Sequence, residues 1–355
     1  LLDIENDIFL IDLEYCVGEM NYIGDLSNSM IPTPEEIRLF TNIVRESLTR
    51  INKGHFNCRP LLFIGNVGTT HHSSDNNYVD SSISYHWVEK VKDQTQLQRV
   101  FATGIAEMIP NEPTFHVPQS VLASPRASEG TDDFLTASAD IETNTTEKVT
   151  DLDAVAALNY TGGTTGLPKG CVHTQRDMIY TAATSCRTNF ELFSEDTSVN
   201  FHPLFWIAGE DLGLILPVFT GSTCILLARW NPLSYLGAAD RYKANRAILL
   251  VDNAVELMDH PRVSEFDLTS IETTRVSSFV KKLNHEYRQR WRELTGSIMT
   301  EASYGMTETH TCDSFTTGFQ NGDFDLSVQP IFVGLPVAGT DFKICDFETG
   351  ALRPL

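Results

Sequence analysis

A glycine- and threonine-rich stretch, residues 160–170, has the composition of a loop that binds phosphate. Glycine lets the main chain approach an anion without a Cβ in the way, threonine adds hydroxyl donors, and lysine adds a positive charge. The residues that supply these groups are Thr161, Gly162, Gly163, Thr164, Thr165, Gly166 and Lys169. Gly170 follows the lysine where a P-loop NTPase has serine or threonine, so that mechanism is not indicated. A plain turn is the alternative, because glycine is common in turns.

A second stretch, residues 304–308, carries side chains suited to a nucleotide and its metal ion. Tyr304 offers a flat ring for adenine, and Gly305, which precedes Met306, allows a close approach of the ligand. Thr307 can donate a hydrogen bond to a phosphate, and Glu308 can hold Mg²⁺. The alternative for Glu308 is a solvated carboxylate at a helix end. Each stretch alone is a weak signal, but both together predict a nucleotide site.

Both stretches closely resemble signatures of the adenylate-forming superfamily, which includes acyl-CoA synthetases, luciferases and peptide-synthetase adenylation domains. These signatures are Tyr-Thr-Ser-Gly-Thr-Thr-Gly-x-Pro-Lys-Gly and Tyr-Gly-Met-Thr-Glu, and here they stand in the expected order, about 140 residues apart. Gly162 replaces the usual serine, which removes one hydroxyl donor. The resemblance implies Lys169, Thr307 and Glu308 as catalytic residues, with Glu308 as the metal ligand. It also implies ATP, Mg²⁺ and coenzyme A as cofactor and co-substrates.

Residues 199–230 resemble the family segment that lines the acyl pocket, with Trp206 where histidine is common. Ser277, Ser278 and Phe279 occupy the place of a Gly-Gly-Ala-Pro-like loop. Pockets are lined by apolar and aromatic groups, so these four residues are candidate substrate contacts, with a plain core role for Trp206 as the alternative. The apolar segment, without an evident acidic partner for a substrate amine, favours a medium-to-long fatty acid over aryl or amino acids.

The implied reaction is attack of a carboxylate on the α-phosphate of ATP, giving acyl-AMP and pyrophosphate, followed by displacement of AMP by the thiol of coenzyme A. The sequence stops before the position of the family's C-terminal lysine, so we expect the chain as given to be an incomplete enzyme. Two alternatives stay open: a nonenzymatic nucleotide-binding remnant, and an adenylation module that serves a carrier protein.

The resemblance implies an α/β fold, the large N-terminal domain of the adenylate-forming enzymes, with layered sheets flanked by helices. Residues 334–346 resemble the start of its small β-barrel subdomain. We expect an unassigned α/β segment at residues 1–84 and an AMP-binding large domain at residues 85–355. The pair His71 and His72 has no third ligand at a recognisable spacing, which favours a polar loop over a metal site.

Several elements are predicted from local patterns. Apolar runs predict strands at 61–64, 98–103, 154–158 and 170–173, and apolar spacing predicts helices at 34–51 and 87–97. Thr174, with Asp177 three residues later, predicts a capping box at the start of a helix. Residues 118–150, rich in small and polar residues, predict a long surface connector.

The 355-residue chain has a formal net charge of −21, which argues against nonspecific binding to nucleic acid. Its seven cysteines lack metal-site spacing, which predicts reduced and mostly buried thiols. The longest apolar stretch, residues 212–228, is interrupted by Pro217 and Gly221, which favours a buried helix, turn and strand over a membrane span. We expect a cytoplasmic protein, with peripheral membrane association and oligomeric state left open.

Overall fold

The computed structural model describes residues 7–12, 58–64, 100–102, 105–122, 132–139, 150–161, 169–204 and 206–353. The chain divides into two compact units. The first contains residues 1–113, 117–152 and 160–170, and the second contains residues 114–116, 153–159 and 171–355. The predicted helices at 34–51 and 87–97, and the pair His71 and His72, lie outside the described residues.

The first unit contains a four-stranded parallel sheet, in the order β1-β2-β3-β4. Its strands are β1 (Asp7–Asp12), β2 (Cys58–Ile64), β3 (Val100–Ala102) and β4 (Asp132–Asp133). The apolar runs of β2 and β3 suit parallel strands, and they confirm the strands predicted at 61–64 and 98–103. Strands β1 and β2 precede residue 84, and strands β3 and β4 follow it in the same sheet. The domain boundary at residue 84 stays a prediction.

Residues 118–150 contain more regular structure than the predicted surface connector. Two short helices lie there, α1 (Gln119–Leu122) and α2 (Phe134–Ala139), and β4 pairs with β3. The main-chain amide of Thr136 donates to the carboxylate of Asp133 at 2.7 Å, which caps α2. Strand pairing with a distant segment thus outweighed the polar composition at residues 132–133. The described side chains of this segment are mostly exposed or half buried, which agrees with the predicted surface position.

A strand pair flanks the phosphate-loop sequence: β5 (Val155–Thr161) and β6 (Lys169–Thr174). Both strands were predicted, although the exposed Val155 shows that β5 is not a buried strand. Helix α3 (Gln175–Thr184) follows β6. The Asp177 amide donates to Thr174 Oγ1 at 3.3 Å, and the Thr174 amide donates to the Asp177 carboxylate at 2.7 Å, which confirms the capping box.

The second unit is organised around a five-stranded parallel sheet, in the order β11-β10-β9-β7-β8. Its strands are β7 (Thr197–Asn200), β8 (Thr223–Leu226), β9 (Arg246–Leu250), β10 (Thr273–Ser277) and β11 (Met299–Glu301). The connecting helices are α4 (Ile207–Glu210), α5 (Leu216–Thr220), α6 (Pro232–Arg241), α7 (Val251–Asp259) and α8 (His285–Thr295). This arrangement confirms the α/β fold class.

Residues 212–228 form the predicted sequence of helix, turn and strand, with the left-handed Gly221 as the turn. The helix is only half buried: Leu212 and Leu216 lie in the core, whereas Val218 and Phe219 are exposed. The strand is not buried as predicted either, since Leu226 is exposed. In the described part of the chain, no helix has both the length and the apolarity needed to cross a membrane.

The core of the second unit packs helices α6, α7 and α8 onto the sheet. Trp291 of α8 is completely buried, and its Nε1 donates to Thr274 Oγ1 of β10 at 2.9 Å. Beyond the sheet, β12 (Ser314–Phe315) pairs antiparallel with β13 (Leu335–Pro336), with the short helix α9 (Phe324–Ser327) between them. Strand β13 lies within residues 334–346, where the start of the small β-barrel subdomain is predicted, and the barrel itself stays a prediction.

The described cysteines Cys171, Cys186, Cys224, Cys312 and Cys345 are free thiols. Cys186 and Cys312 are buried, as predicted, but Cys345 is exposed.

Candidate nucleotide and acid site

The carboxyl edge of the five-stranded sheet gathers the candidate site residues of the second unit. Parallel strands end at the same edge, and in open α/β sheets ligands bind there. Strand β7 ends at Asn200, shortly before Trp206. Strand β10 ends at Ser277, and β11 ends at Glu301 just before the 304–308 motif.

The motif forms a closed loop after β11. The Thr311 amide donates to the Met306 carbonyl at 2.9 Å, and the Asp313 amide donates to the Tyr304 carbonyl at 2.8 Å. The Tyr304 ring is 41% exposed and meets the Phe342 ring edge-to-face at 5.8 Å. Tyr304 therefore keeps a face open for a planar ligand.

Glu308 presents an exposed carboxylate from a 3₁₀ turn, Thr307–Thr309. Across the described residues, no hydrogen bond or ion pair engages this carboxylate. Burial, and then the nearby Glu308 charge, raise the pKa of the Cys171 thiol of β6. Glu308 thus lies near β6 with its charge uncompensated in the described part of the chain.

A magnesium ion fits this arrangement. No group of three or more His, Cys, Asp or Glu side chains that could hold a metal is found among the described residues. Mg²⁺ does not need three protein ligands, because it is commonly held by one or two carboxylates together with substrate phosphates and water. A single free carboxylate such as Glu308 meets that requirement.

Gly305 is required by the loop itself, in addition to the ligand approach predicted from the sequence. A Cβ at this position would lie 2.5 Å from the Cys312 nitrogen and 2.7 Å from the Thr311 Cα. Such contacts are with main-chain atoms, so the loop would have to shift.

Replacing Gly305 with alanine is therefore expected to lower the free energy of unfolding by about 1–3 kcal/mol and to weaken ATP binding. Urea denaturation and calorimetric titration with ATP measure the two effects. Gly350→Ala is the matched control: Gly350 has φ 68° but open space around it, so about 1 kcal/mol is expected there and no change in ATP affinity. If Gly305→Ala bound ATP with wild-type affinity, the close main-chain packing at Gly305 would not be needed for ATP binding.

The turn after Glu308 is conformationally unusual. His310, Thr311 and Cys312 have φ values of 59°, 55° and 56°, in the left-handed region that non-glycine residues avoid. The cost is about 1–2 kcal/mol per residue, so surrounding contacts must hold the turn. His310 and Cys312 are buried and supply such contacts.

His310, two residues after Glu308, is buried. Its ring meets the His173 ring edge-to-face at 4.7 Å, and its Nδ1 lies 3.4 Å from Asp211 Oδ1. Burial, with a smaller effect of His173, lowers the pKa of His310 to about 4. Burial, and then the Glu210 charge, raise the pKa of Asp211 well above its usual value. The separation is within ion-pair range, but burial favours the neutral form of both groups.

The four candidate substrate contacts also come together. The rings of Trp206 and Phe279 lie 6.1 Å apart in an edge-to-face arrangement, and the buried His202 packs against Trp206 at 5.5 Å. Ser278 follows Ser277, and both are half buried. Phe279 is exposed, so its ring is accessible to a ligand.

Glu301 is a residue that the sequence analysis missed. It is buried, and its carboxylate accepts hydrogen bonds from the Ser278 amide at 2.8 Å and the Ser278 hydroxyl at 2.6 Å. Burial raises the pKa of Glu301, and the hydrogen bonds from Ser278 oppose that effect. An acidic residue therefore does stand beside the candidate pocket. The available signal was an acidic residue at the end of a strand three positions before Tyr304.

The phosphate-loop residues Gly162, Gly163, Thr164, Thr165 and Gly166 lie outside the described residues. At its two ends, the Thr161 hydroxyl donates to the Lys169 carbonyl at 3.4 Å, and the Lys169 side chain is exposed. Both residues belong to the first unit. Their roles toward phosphate stay predictions.

A cavity of about 630 Å³ in the second unit lies elsewhere, against helix α6. Its lining includes Phe115, Gly237, Arg241 and Phe266, and none of the predicted site residues lines it.

Comparison with known proteins gives a consistent result. Residues 78–355 match the model of a family described as AMP-binding enzyme. The chain is 27% identical over 216 residues to 4-coumarate–CoA ligase 2 of Petroselinum crispum, covering 60% of this chain and 39% of that protein. It is 28% identical over 221 residues to 4-coumarate–CoA ligase 3 of Arabidopsis thaliana, covering 61% and 39%. The chain thus spans about two-fifths of the length of these relatives.

Solved structures agree on the fold. The anthranilate CoA ligase AuaEII in complex with anthranoyl-AMP superposes with a TM-score of 0.62 at 20% identity, covering 92% of this chain and 52% of that one. A benzoate CoA ligase from Burkholderia xenovorans LB400 superposes with a TM-score of 0.56 at 16% identity, covering 84% and 54%.

Proposed function

Because the chain belongs to the family of AMP-binding enzymes, we propose that it serves in the ATP-dependent activation of a carboxylic acid to an acyl adenylate and then to a CoA thioester. The observation that carries this proposal is the loop after β11, which presents the open Tyr304 ring and the free Glu308 carboxylate at the carboxyl edge of the sheet. A planar base and a phosphate-bound cation are the ligands such a pair suits.

The chemistry needs positioning and charge neutralisation at phosphorus more than proton transfer. The acid substrate is already ionised at neutral pH, so no general base is required. Tyr304 would contact the adenine, the Thr307 hydroxyl would contact a phosphate oxygen, and Glu308 would hold Mg²⁺. Lys169 belongs to the first unit and keeps its predicted role toward phosphate. When bound, the metal supplies charge neutralisation on the phosphates.

An aromatic acid is the first candidate for the substrate. Trp206 and Phe279 offer ring faces that suit a planar acid. The names of the relatives, which include 4-coumarate, anthranilate and benzoate CoA ligases, support the same class. A medium-to-long fatty acid, favoured by the apolar segment alone, is the second candidate. The exposed Val280 next to Phe279 is compatible with it.

Calorimetric titration of the chain with ATP and Mg²⁺ tests the nucleotide site. We expect saturable binding, weakened about tenfold or more by Glu308→Ala and by Lys169→Ala, because each removes a charged contact. Glu265→Ala and Lys243→Ala, which alter exposed ion pairs, are the matched controls and should leave the affinity unchanged. A folded chain that shows no saturable binding would refute the proposal.

Pyrophosphate exchange with a panel of acids then separates the alternatives. Exchange stimulated by benzoate, anthranilate or 4-coumarate would support an aromatic acid, whereas stimulation by octanoate or palmitate would support a fatty acid. Binding of ATP without exchange for any acid is expected both of an incomplete enzyme and of a nonenzymatic nucleotide-binding chain, so the exchange assay separates the alternatives only when it is positive.

A further inference from the structure

A buried polar pair lies behind the loop that presents Glu308. Asp211 opens a π-helical turn, Asp211–Ile215, and its side chain is buried. Its Oδ1 lies 3.4 Å from Nδ1 of the buried His310. The two residues are 99 positions apart in the sequence and reach each other only through the fold.

The 3.4 Å approach is not a hydrogen bond, and neither side chain makes a hydrogen bond elsewhere within the described residues. Within the described ranges, both carboxylate oxygens of Asp211 and both ring nitrogens of His310 lack a hydrogen-bond partner. Buried polar atoms are normally satisfied, so each such group calls for an explanation. Burying a polar pair costs stability and is most easily understood where it sets a specific geometry.

The geometry that this pair can set is that of the left-handed turn formed by residues 310–312. His310 is the first of the three left-handed residues, and it directly follows the 3₁₀ turn that carries Thr307 and Glu308. The Thr181 hydroxyl donates to the His310 carbonyl at 3.4 Å, and the His173 ring packs on the His310 ring. His310, together with the buried Cys312, therefore attaches the exposed loop to the core.

We propose that Asp211 and His310 are positioning residues, whose buried contact holds the strained turn and thereby places Thr307 and Glu308 for the bound nucleotide and its metal ion. The inference rests on the proposed function. Neither residue touches the substrate, and both act through the main chain of residues 306–313.

Three variants separate positioning from plain core packing. Asp211→Leu removes the polar partner at similar volume, and Asp211→Asn keeps a polar group of the same shape. His310→Asn removes the ring but keeps a residue that tolerates the left-handed conformation. We expect Asp211→Asn to match the wild-type chain in loop exchange and ATP affinity. Asp211→Leu and His310→Asn should each speed loop exchange and weaken ATP binding, and the double variant Asp211→Leu/His310→Asn should be no worse than either one.

Hydrogen exchange of the full chain tests the anchoring without any ligand. In Asp211→Leu, the amides of Thr311 and Asp313 should exchange about tenfold or more faster, while those of β9 and β10 keep the wild-type rate. Wild-type exchange at the loop, or an equal increase across the sheet, would overturn the proposal.

Titration with ATP, in Mg²⁺ and separately in EDTA, tests the consequence for the site. Asp211→Leu should lose about tenfold in affinity with Mg²⁺ and clearly less in EDTA, because without the metal only the Thr307 contact to phosphate is affected. An equal loss under both conditions, or no rescue by Asp211→Asn, would overturn the positioning role. If the wild-type chain binds no ATP, the proposed function fails, whereas hydrogen exchange still decides the anchoring.

Discussion

Replacing Arg288 with leucine is expected to lower the free energy of unfolding by about 3–5 kcal/mol. The Arg288 side chain is 8% exposed and its partner Asp325 is 2% exposed, with Nη2 at 2.5 Å from Oδ2. A further contact joins Nη1 to Asp323 at 2.7 Å, and Nε donates to the Met299 carbonyl of β11 at 3.0 Å. The variant leaves the Asp325 carboxylate buried without its charge partner, which is the costly outcome.

Urea denaturation of the wild-type chain and the variant measures this effect. Arg262→Leu is the matched control, because Arg262 and Glu265 form an ion pair in which both side chains are 52% exposed. Such surface pairs contribute about 0–1 kcal/mol. The double variant Arg288→Leu/Asp325→Leu should recover part of the loss, since it removes the unpaired charge. A loss for Arg288→Leu as small as that of the control would contradict the prediction.

Stability is expected to fall in acid through His202. This side chain is buried, and burial lowers its pKa from 6.5 to about 4, an effect that a hydrogen bond to the main chain of Ile248 partly opposes. Between these two values the unfolded chain binds a proton that the native chain does not. Stability is therefore retained above pH 6.5 and is lost as the pH falls toward 4, by about 3 kcal/mol for this group.

The measurement is the free energy of unfolding as a function of pH for the wild-type chain and His202→Gln. Other carboxylates and histidines also titrate in this range, so the difference between the two proteins isolates His202. We expect a shallower loss in His202→Gln between pH 6.5 and 4. Identical pH dependence in both proteins would show that His202 binds protons equally in the native and unfolded states, which would contradict the prediction.

Local patterns were sufficient for much of the fold. Apolar runs predicted β2 and β5, because a strand that packs in a sheet must carry apolar side chains at short range, and β3 and β6 also lie where strands were predicted. The capping box of Thr174 and Asp177 was predicted because both hydrogen bonds join residues three positions apart. The 304–308 motif was recognisable for the same reason, since its groups are adjacent in the chain.

Pairings between distant segments were not predictable in this way. The short strand β4 within residues 118–150 forms because β3 lies beside it, and its two aspartates carry no strand pattern of their own. Glu301 and Ser278 are joined only because parallel strands bring their carboxyl ends to one edge.

The sequence by itself thus determined the family, the order of the two motifs and the residue types that we propose meet a nucleotide, because these are properties of contiguous segments. Only the tertiary structure decided which buried groups face one another: Asp211 with His310, Arg288 with Asp325, and Trp206 with Phe279. The physical reason is that burial and packing depend on contacts between residues far apart in the chain. Burial and packing set the strain of the turn after Glu308 and the charge states of Asp211 and His310.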